Sequence, residues 1–200
     1  MPQIFSKISS AEFQILVWKI EEPLAYFETF PATWSSPSVE NPTKKLESTA
    51  VRHCLQQLST EFETLKLVQN DRNRPYFEGS DWHISLTHSY PYVAAACSRN
   101  KRIGIDLEKP GRNIEKIAPR FLHAREWEKW KSQSNLLTLA WSAKESIYKA
   151  VGKPGLSFQK EMEISDFDLN PCKAQVSTGE LVTIFWEEYP EFSLTVALIQ

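Results

Sequence analysis

The spacing of apolar residues predicts β-strands in both halves of the 200-residue chain. Apolar and polar side chains alternate with the two-residue period of a strand that buries one face. Segments with strand character lie at residues 13–20, 82–87, 92–97, 103–108, 174–177, 181–186 and 192–199. The last three predict an antiparallel meander, and 92–97 is predicted to pair with 103–108 as a hairpin across a short polar turn.

Apolar residues recur every three or four positions elsewhere, which predicts amphipathic helices. The helical segments are 46–58, 113–118, 123–131 and 136–151. Pro119 is expected to separate the second segment from the third, and the proline-rich residues 31–43 are expected to form a loop. The order strand, helix, strands, followed by strand, helices, strands, predicts an α+β fold with two similar halves.

Two acidic residues, Asp106 and Glu108, lie two positions apart in the 103–108 strand, so they should project from the same face. Their mutual repulsion calls for a positive group between them, most simply a divalent cation. On the 136–151 helix, Glu145 and Lys149 stand one turn apart on a polar face. Three carboxylates and a lysine suit a Mg²⁺-bound diphosphate. A solvated sheet face and a surface helix pair are the alternatives.

Composition favours a globular protein with one large domain or two small ones and an aromatic-rich core, since 42% of the residues are hydrophobic and 7 are Trp. The net charge of −2 argues against a general nucleic-acid binder, so a polyanionic ligand would need a local basic cluster. Three widely spaced cysteines without a CxxC motif favour a reducing compartment. Neither a signal peptide nor a membrane span is predicted, so we expect a cytoplasmic protein.

Four motifs in a fixed order resemble the 4′-phosphopantetheinyl transferases of the larger, Sfp-like type. They are Arg74-Pro75-Tyr76, Ser85-Leu86-Thr87-His88-Ser89, Ile103-Gly104-Ile105-Asp106-Leu107-Glu108, and Trp141-Ser142-Ala143-Lys144-Glu145-Ser146 through Lys149. The resemblance implies two α+β half-domains, each an antiparallel sheet with packed helices, related by pseudo-twofold symmetry. Residues 1–98 would contact the coenzyme A nucleotide, 99–200 would carry the metal and the catalytic helix, and the active site would lie between them. Such an internal pseudo-dimer implies a monomer.

The resemblance also implies an activity and its residues. The phosphopantetheine arm of coenzyme A would pass to a serine of an acyl or peptidyl carrier protein, releasing adenosine 3′,5′-bisphosphate. Mg²⁺ would be bound by Asp106, Glu108 and Glu145. Glu145, Lys149 and Lys144 would be catalytic, with Glu145 the general base, either directly or through a water. Coenzyme A would contact Arg74, Thr87, His88, Lys44, Lys45 and Arg52. Glu126 matches a family glutamate near the metal, or only braces its helix.

Other interpretations remain open at this point. The chain could be an inactive family member that binds carrier protein or coenzyme A, a metal-dependent phosphohydrolase, or an aromatic-rich interaction domain. A basic segment over residues 112–131, with Phe121, Leu122 or Trp127 exposed between its charges, is a candidate surface for an acidic carrier. The alternative is a helix pair whose aromatic side chains lie in the core.

Overall fold

The computed structural model describes residues 4–29, 31, 33–34, 39–71, 73–111 and 113–199. The chain forms two compact units, Met1–Lys101 and Arg102–Gln200. Each unit contains an antiparallel sheet with helices, which confirms the predicted α+β fold class. Within these ranges, no helix is both long enough and apolar enough to cross a bilayer.

The first unit is built on a four-stranded antiparallel sheet with the order β1-β2-β6-β5. Its strands are β1 (Ile4–Ser9), β2 (Gln14–Lys19), β3 (Leu67–Gln69), β4 (Pro75–Phe77), β5 (His83–Ser89) and β6 (Tyr92–Ser98), of which β3 and β4 form a separate two-stranded ladder. Its helices are α1 (Leu24–Phe27) and α2 (Pro42–Gln56), and a 3₁₀ turn covers Thr60–Glu63.

Helix α2 begins where its sequence provides both a cap and a proline. The Asn41 side chain accepts a hydrogen bond from Lys44 N at 3.0 Å, and Pro42 occupies the first turn, where no backbone donor is needed. The core of the unit lies between α2 and the sheet, where Val51, Cys54 and Leu55 pack with apolar residues of β2 and β6.

The second unit is built on a five-stranded antiparallel sheet with the order β7-β11-β10-β9-β8. Its strands are β7 (Ile103–Glu108), β8 (Met162–Ile164), β9 (Cys172–Val176), β10 (Leu181–Glu188) and β11 (Ser193–Ile199). Its helices are α3 (Ala118–Phe121), α4 (Ala124–Trp130), α5 (Ser134–Val151) and α6 (Phe158–Glu161), with a 3₁₀ turn at Ile114–Lys116. Helix α5 packs on β7 and β11 and ends at Gly152, which has a φ of 70°.

Three local predictions were wrong. Strands β6 and β7 do not form a hairpin: β6 lies between β2 and β5, whereas β7 pairs with β11, so the two strands belong to different sheets. Strand β7 is buried at every residue rather than on one face. Pro119 lies in the first turn of α3 instead of separating two helices, because a proline there removes no helical hydrogen bond.

All three cysteines are free and buried. Burial raises the pKa of the Cys97 and Cys172 thiols to about 12. Thiols of this kind remain protonated and unreactive near neutral pH. They therefore serve as small apolar core residues.

Candidate functional site

The close approach of α5 to β7 is set by Gly104. A Cβ atom at this position would lie 1.9 Å from the carbonyl oxygen of Ser146 and 2.6 Å from the backbone nitrogen of Ala150. Only glycine therefore allows the helix backbone to lie directly against the strand. Asp106 and Glu108 lie two and four residues after Gly104, so all three are on the same face of β7. This is the face that α5 covers.

Lys149 joins the two predicted motifs. Its ammonium donates hydrogen bonds to Asp106 Oδ1 at 2.8 Å and to the carbonyl oxygen of Ile105 at 2.9 Å. The Asp106 side chain is 8% exposed and that of Lys149 is 29% exposed. The ion pair is therefore partly shielded from water, which strengthens it relative to a surface pair. The positive partner that the acidic strand required is thus provided by the protein itself.

Glu108 and Glu145 are close in sequence to the two members of this ion pair, on β7 and α5 respectively. Trp141, on the first half of α5, donates its indole N–H to Glu108 Oε1 at 2.8 Å, and Glu108 is buried. Glu145 lies one turn before Lys149 on α5 and is partly exposed. One oxygen of Asp106 and one of Glu108 are therefore fixed by donors from the helix that carries Glu145.

The donor set suits Mg²⁺ in its chemistry, because carboxylate oxygens are the protein ligands that this ion prefers. Among the described residues, no group of three or more His, Cys, Asp or Glu side chains is already arranged to hold a metal ion. Mg²⁺ commonly uses one or two carboxylates together with phosphate oxygens of a substrate. Asp106 and Glu108 fit that mode, with Glu145 as the third predicted ligand.

Lys144 lies elsewhere, in the core of the second unit. Its fully buried ammonium donates to Glu126 Oε2 at 2.5 Å and to the carbonyl oxygens of Phe121, Phe158 and Met162 at 2.9–3.0 Å. Burial lowers the pKa of Lys144, and the Glu126 carboxylate opposes that shift. Lys144 was predicted to donate to phosphate, but its ammonium already donates to four protein oxygens. The structure therefore supports a role for Lys144 in bracing the core.

Glu126 is the other half of this brace. One of its oxygens accepts from the backbone of His123 at 2.7 Å in a capping box for α4, and the other accepts from Ile164 N at 2.7 Å. The residue is 1% exposed. These contacts favour a role for Glu126 in bracing the helix rather than in binding a metal.

Thr87 and His88 stand at the end of β5 in the first unit. Thr87 is buried and lies opposite Ala94 of β6 in the ladder. His88 points to the opposite face, toward α2, where its Nδ1 atom lies 3.4 Å from Glu47 Oε2. The sequence predicted no role for Glu47. The sequence feature that could have identified Glu47 is its position one turn before Ala50 and Val51, which places a carboxylate on the buried stripe of α2.

The predicted cationic contacts of the first unit differ in their surroundings. Lys44 is exposed, and Lys45 Nζ lies 3.7 Å from a carboxylate oxygen of Glu28. Arg52 is buried and donates to the carbonyl oxygen of Ser48 at 2.8 Å, and desolvation lowers its pKa. Arg74 is half-buried, and Asn70 holds its backbone. Of the four, Lys44 is the most exposed to a solvent-borne phosphate, and Arg74 is less buried than Arg52.

The suggested carrier surface has fewer exposed apolar groups than expected. Phe121 and Leu122 are buried in the core of the second unit, and Trp127 is partly buried against it. Arg112, at the start of the segment, lies outside the described residues. These apolar side chains therefore pack in or against the core, as the alternative interpretation of this segment predicted.

The chain is similar to known proteins over both units. Residues 102–197 match the family model described as the 4′-phosphopantetheinyl transferase superfamily. The 4′-phosphopantetheinyl transferase HetI of Nostoc sp. is 27% identical over 188 residues, which is 82% of this chain and 79% of that protein. The 4′-phosphopantetheinyl transferase gsp of Aneurinibacillus migulanus is 32% identical over 107 residues, 51% of this chain and 44% of that protein.

Proposed function

We propose that this chain, a member of the 4′-phosphopantetheinyl transferase superfamily and an enzyme of that class, transfers the phosphopantetheine arm of coenzyme A to a serine hydroxyl of an acyl or peptidyl carrier protein. The proposed reaction depends on Mg²⁺. The observation that carries this proposal is the Lys149–Asp106 contact, which brings the helix motif and the acidic strand together. Coenzyme A is the donor substrate, and adenosine 3′,5′-bisphosphate is the leaving product.

Each residue of this contact has a proposed task. When bound, Mg²⁺ neutralises charge on the diphosphate of coenzyme A. Asp106 and Glu108 provide carboxylate oxygens for it, and Trp141 keeps the Glu108 carboxylate in place. Glu145 accepts the hydroxyl proton of the carrier serine, directly or through a water, as the serine oxygen bonds to the phosphorus that bears the pantetheine arm. The bond from this phosphorus to the bridging oxygen of the diphosphate breaks, and adenosine 3′,5′-bisphosphate leaves with that oxygen.

Lys149 would act on the same phosphate groups. Its side chain is 29% exposed, and its ammonium contacts two protein oxygens, which fixes the ammonium beside Asp106. Preorganised charges of this kind stabilise developing negative charge without reorganising during the reaction. Lys144, which four protein oxygens surround, takes no part in the proposed chemistry.

The assignment of coenzyme A nucleotide contacts to the first unit, and of the metal and the catalytic helix to the second, is part of the proposal. His88, Lys44 and Arg74 are its main nucleotide candidates. Arg52 and Thr87 are weaker candidates because both are buried, and Lys45 is weaker because the Glu28 carboxylate lies beside its ammonium. Individual alanine variants that raise the KM for coenzyme A identify the true contacts.

Mass spectrometry of apo carrier proteins, incubated with the enzyme, coenzyme A and Mg²⁺, tests the proposal. We expect the mass of one phosphopantetheine to be added to at least one carrier, with no addition in excess chelator. Asp106→Ala should lower turnover about 100-fold or more, as removal of a preorganised charge does. The matched control is Asp166→Ala, since this aspartate pairs with Lys129 at the surface.

Three outcomes would contradict parts of the proposal. Absence of added mass on every carrier, with heat of coenzyme A binding in calorimetry, would indicate a binding module. Phosphate products without a carrier would indicate a hydrolase. Full turnover in Asp106→Ala would show that Asp106 takes no part in the reaction, while the proposed transferase activity itself would still hold.

A further inference from the structure

Glu47 is a buried carboxylate on an otherwise apolar stripe of α2. It lies one turn before Ala50 and Val51 and is 5% exposed. Burying a carboxylate is costly unless hydrogen bonds or an opposite charge compensate it. An apolar residue at this position would continue the stripe at lower cost, so the contacts of Glu47 require a separate explanation.

The two oxygens of Glu47 have different partners, one in the last residues of β5 and one directly after the strand. Oε1 accepts a hydrogen bond from the backbone N–H of Tyr90 at 2.9 Å, which fixes the orientation of the carboxylate. Oε2 then lies 3.4 Å from Nδ1 of His88. The Glu47 side chain is 7% exposed and that of His88 is 35% exposed. One edge of the imidazole is therefore directed at a buried anion, while the ring as a whole remains accessible to solvent.

A second histidine and glutamate pair in the chain shows the contrast. His123 Nδ1 lies 3.9 Å from Glu163, but that carboxylate is 40% exposed and also binds Arg125. The same Nδ1 atom accepts a hydrogen bond from the backbone N–H of Arg125. His123 thus serves as a helix cap and cannot donate from Nδ1 at the same time. Of these two pairs, the one at His88 has a buried carboxylate that a backbone N–H anchors.

We propose that Glu47 is a positioning residue that holds Nδ1–H of His88, so that Nε2–H donates to a phosphate group of coenzyme A. This inference rests on the proposed function of His88. With both ring nitrogens donating, the ring is an imidazolium, and Glu47 provides its countercharge. The arrangement follows the general rule that the partner of one imidazole nitrogen determines what the other nitrogen can do.

Steady-state kinetics of Glu47→Gln test the inference. Glutamine keeps the shape and an acceptor for Tyr90 N–H but removes the charge that faces His88. We expect the KM for coenzyme A to rise about 10-fold, the factor for a hydrogen bond to a charged group, with kcat and the KM for the carrier unchanged. Glu163→Gln, next to His123, is the matched control and should leave all three constants unchanged.

A double-mutant cycle separates positioning from general packing. In a His88→Ala background, Glu47→Gln should cause no further rise in the KM for coenzyme A, because its effect passes through the ring. Additive effects, or an unchanged KM in the single variant, would overturn the inference. A wild-type enzyme that fails to modify any carrier would instead overturn the proposed function.

Nuclear magnetic resonance of the wild-type protein gives a test that needs no folded variant. Long-range ¹⁵N–¹H correlation of the His88 ring should show a proton on Nδ1, and titration with adenosine 3′,5′-bisphosphate should shift the Nε2 signal. An Nδ1 atom without a proton in the complex would overturn the inference.

Glu47→Asp, which retracts the carboxylate by one methylene, should give a KM for coenzyme A between those of the wild type and Glu47→Gln. A wild-type KM in this variant would also contradict the inference.

Discussion

Replacing Lys144 with methionine tests how the helix that carries Glu145 is held. Methionine fills a similar volume but removes the ammonium that Glu126 and three carbonyl oxygens share. Breaking a buried ion pair on one side costs about 3–5 kcal/mol, because the remaining charge is left uncompensated in the core. Glu126 keeps hydrogen bonds from His123 and Ile164, which places the expected loss near the lower end of that range.

Urea unfolding followed by tryptophan fluorescence measures this loss, since Trp130 and Trp141 lie in the same core. Lys131→Met is the matched control: its ammonium pairs with Glu128 at the surface, and such pairs contribute about 0–1 kcal/mol. Lys144→Met combined with Glu126→Gln should recover part of the lost stability, because the uncompensated charge is removed. Unchanged stability with abolished transfer would refute the bracing role and restore the predicted contact with phosphate.

The remaining predictions concern three other sites. Gly104→Ala should lower the unfolding free energy by about 1–3 kcal/mol and slow transfer, because its Cβ collides with the backbone of α5; an unchanged urea midpoint would contradict the close approach. Trp141→Phe keeps an aromatic ring beside Phe121 but loses the bond to Glu108, so kcat should fall while stability changes by about 1 kcal/mol; an unchanged kcat would contradict the proposed role of that bond. Burial lowers the pKa of His53, with Glu22 opposing, so the neutral ring is favoured in the folded protein. Melting temperature should therefore fall as pH drops below the ordinary value of 6.5 and level off below the folded pKa; this slope should disappear in His53→Gln.

Strand β7 and helix α5 could be predicted from sequence because their signals are local. Alternation over six residues and a helical period over sixteen are properties of neighbouring positions. The partner of β7 could not be predicted in the same way, since β11 lies at the opposite end of the second unit and only the folded sheet joins them. The hairpin prediction pairs β7 with β6, the nearest strand in sequence, whereas in the folded sheet β2 and β5 occupy both edges of β6.

The two lysines of α5 show the same limit for the site. Lys149 and Lys144 belong to one motif, and charge alone does not separate a catalytic lysine from a structural one. The distinguishing signal is position: Lys144 falls on the stripe of Ala140, Ala143 and Ile147, which faces the core. Glu47 is likewise a charged residue on the apolar stripe of its helix, α2. A charged residue on an apolar stripe therefore predicts a buried partner, but which group provides it depends on packing between distant segments.

The Lys149–Asp106 ion pair has a consequence for how the enzyme responds to metal supply. Because an ammonium from the protein already balances the carboxylate on β7, folding of the second unit does not need a divalent ion for that balance. In the proposed Mg²⁺-dependent reaction, a shortage of magnesium would then limit the rate of carrier modification while leaving the amount of intact enzyme unaltered. Restoring the ion would restore the rate at once, without new synthesis or refolding.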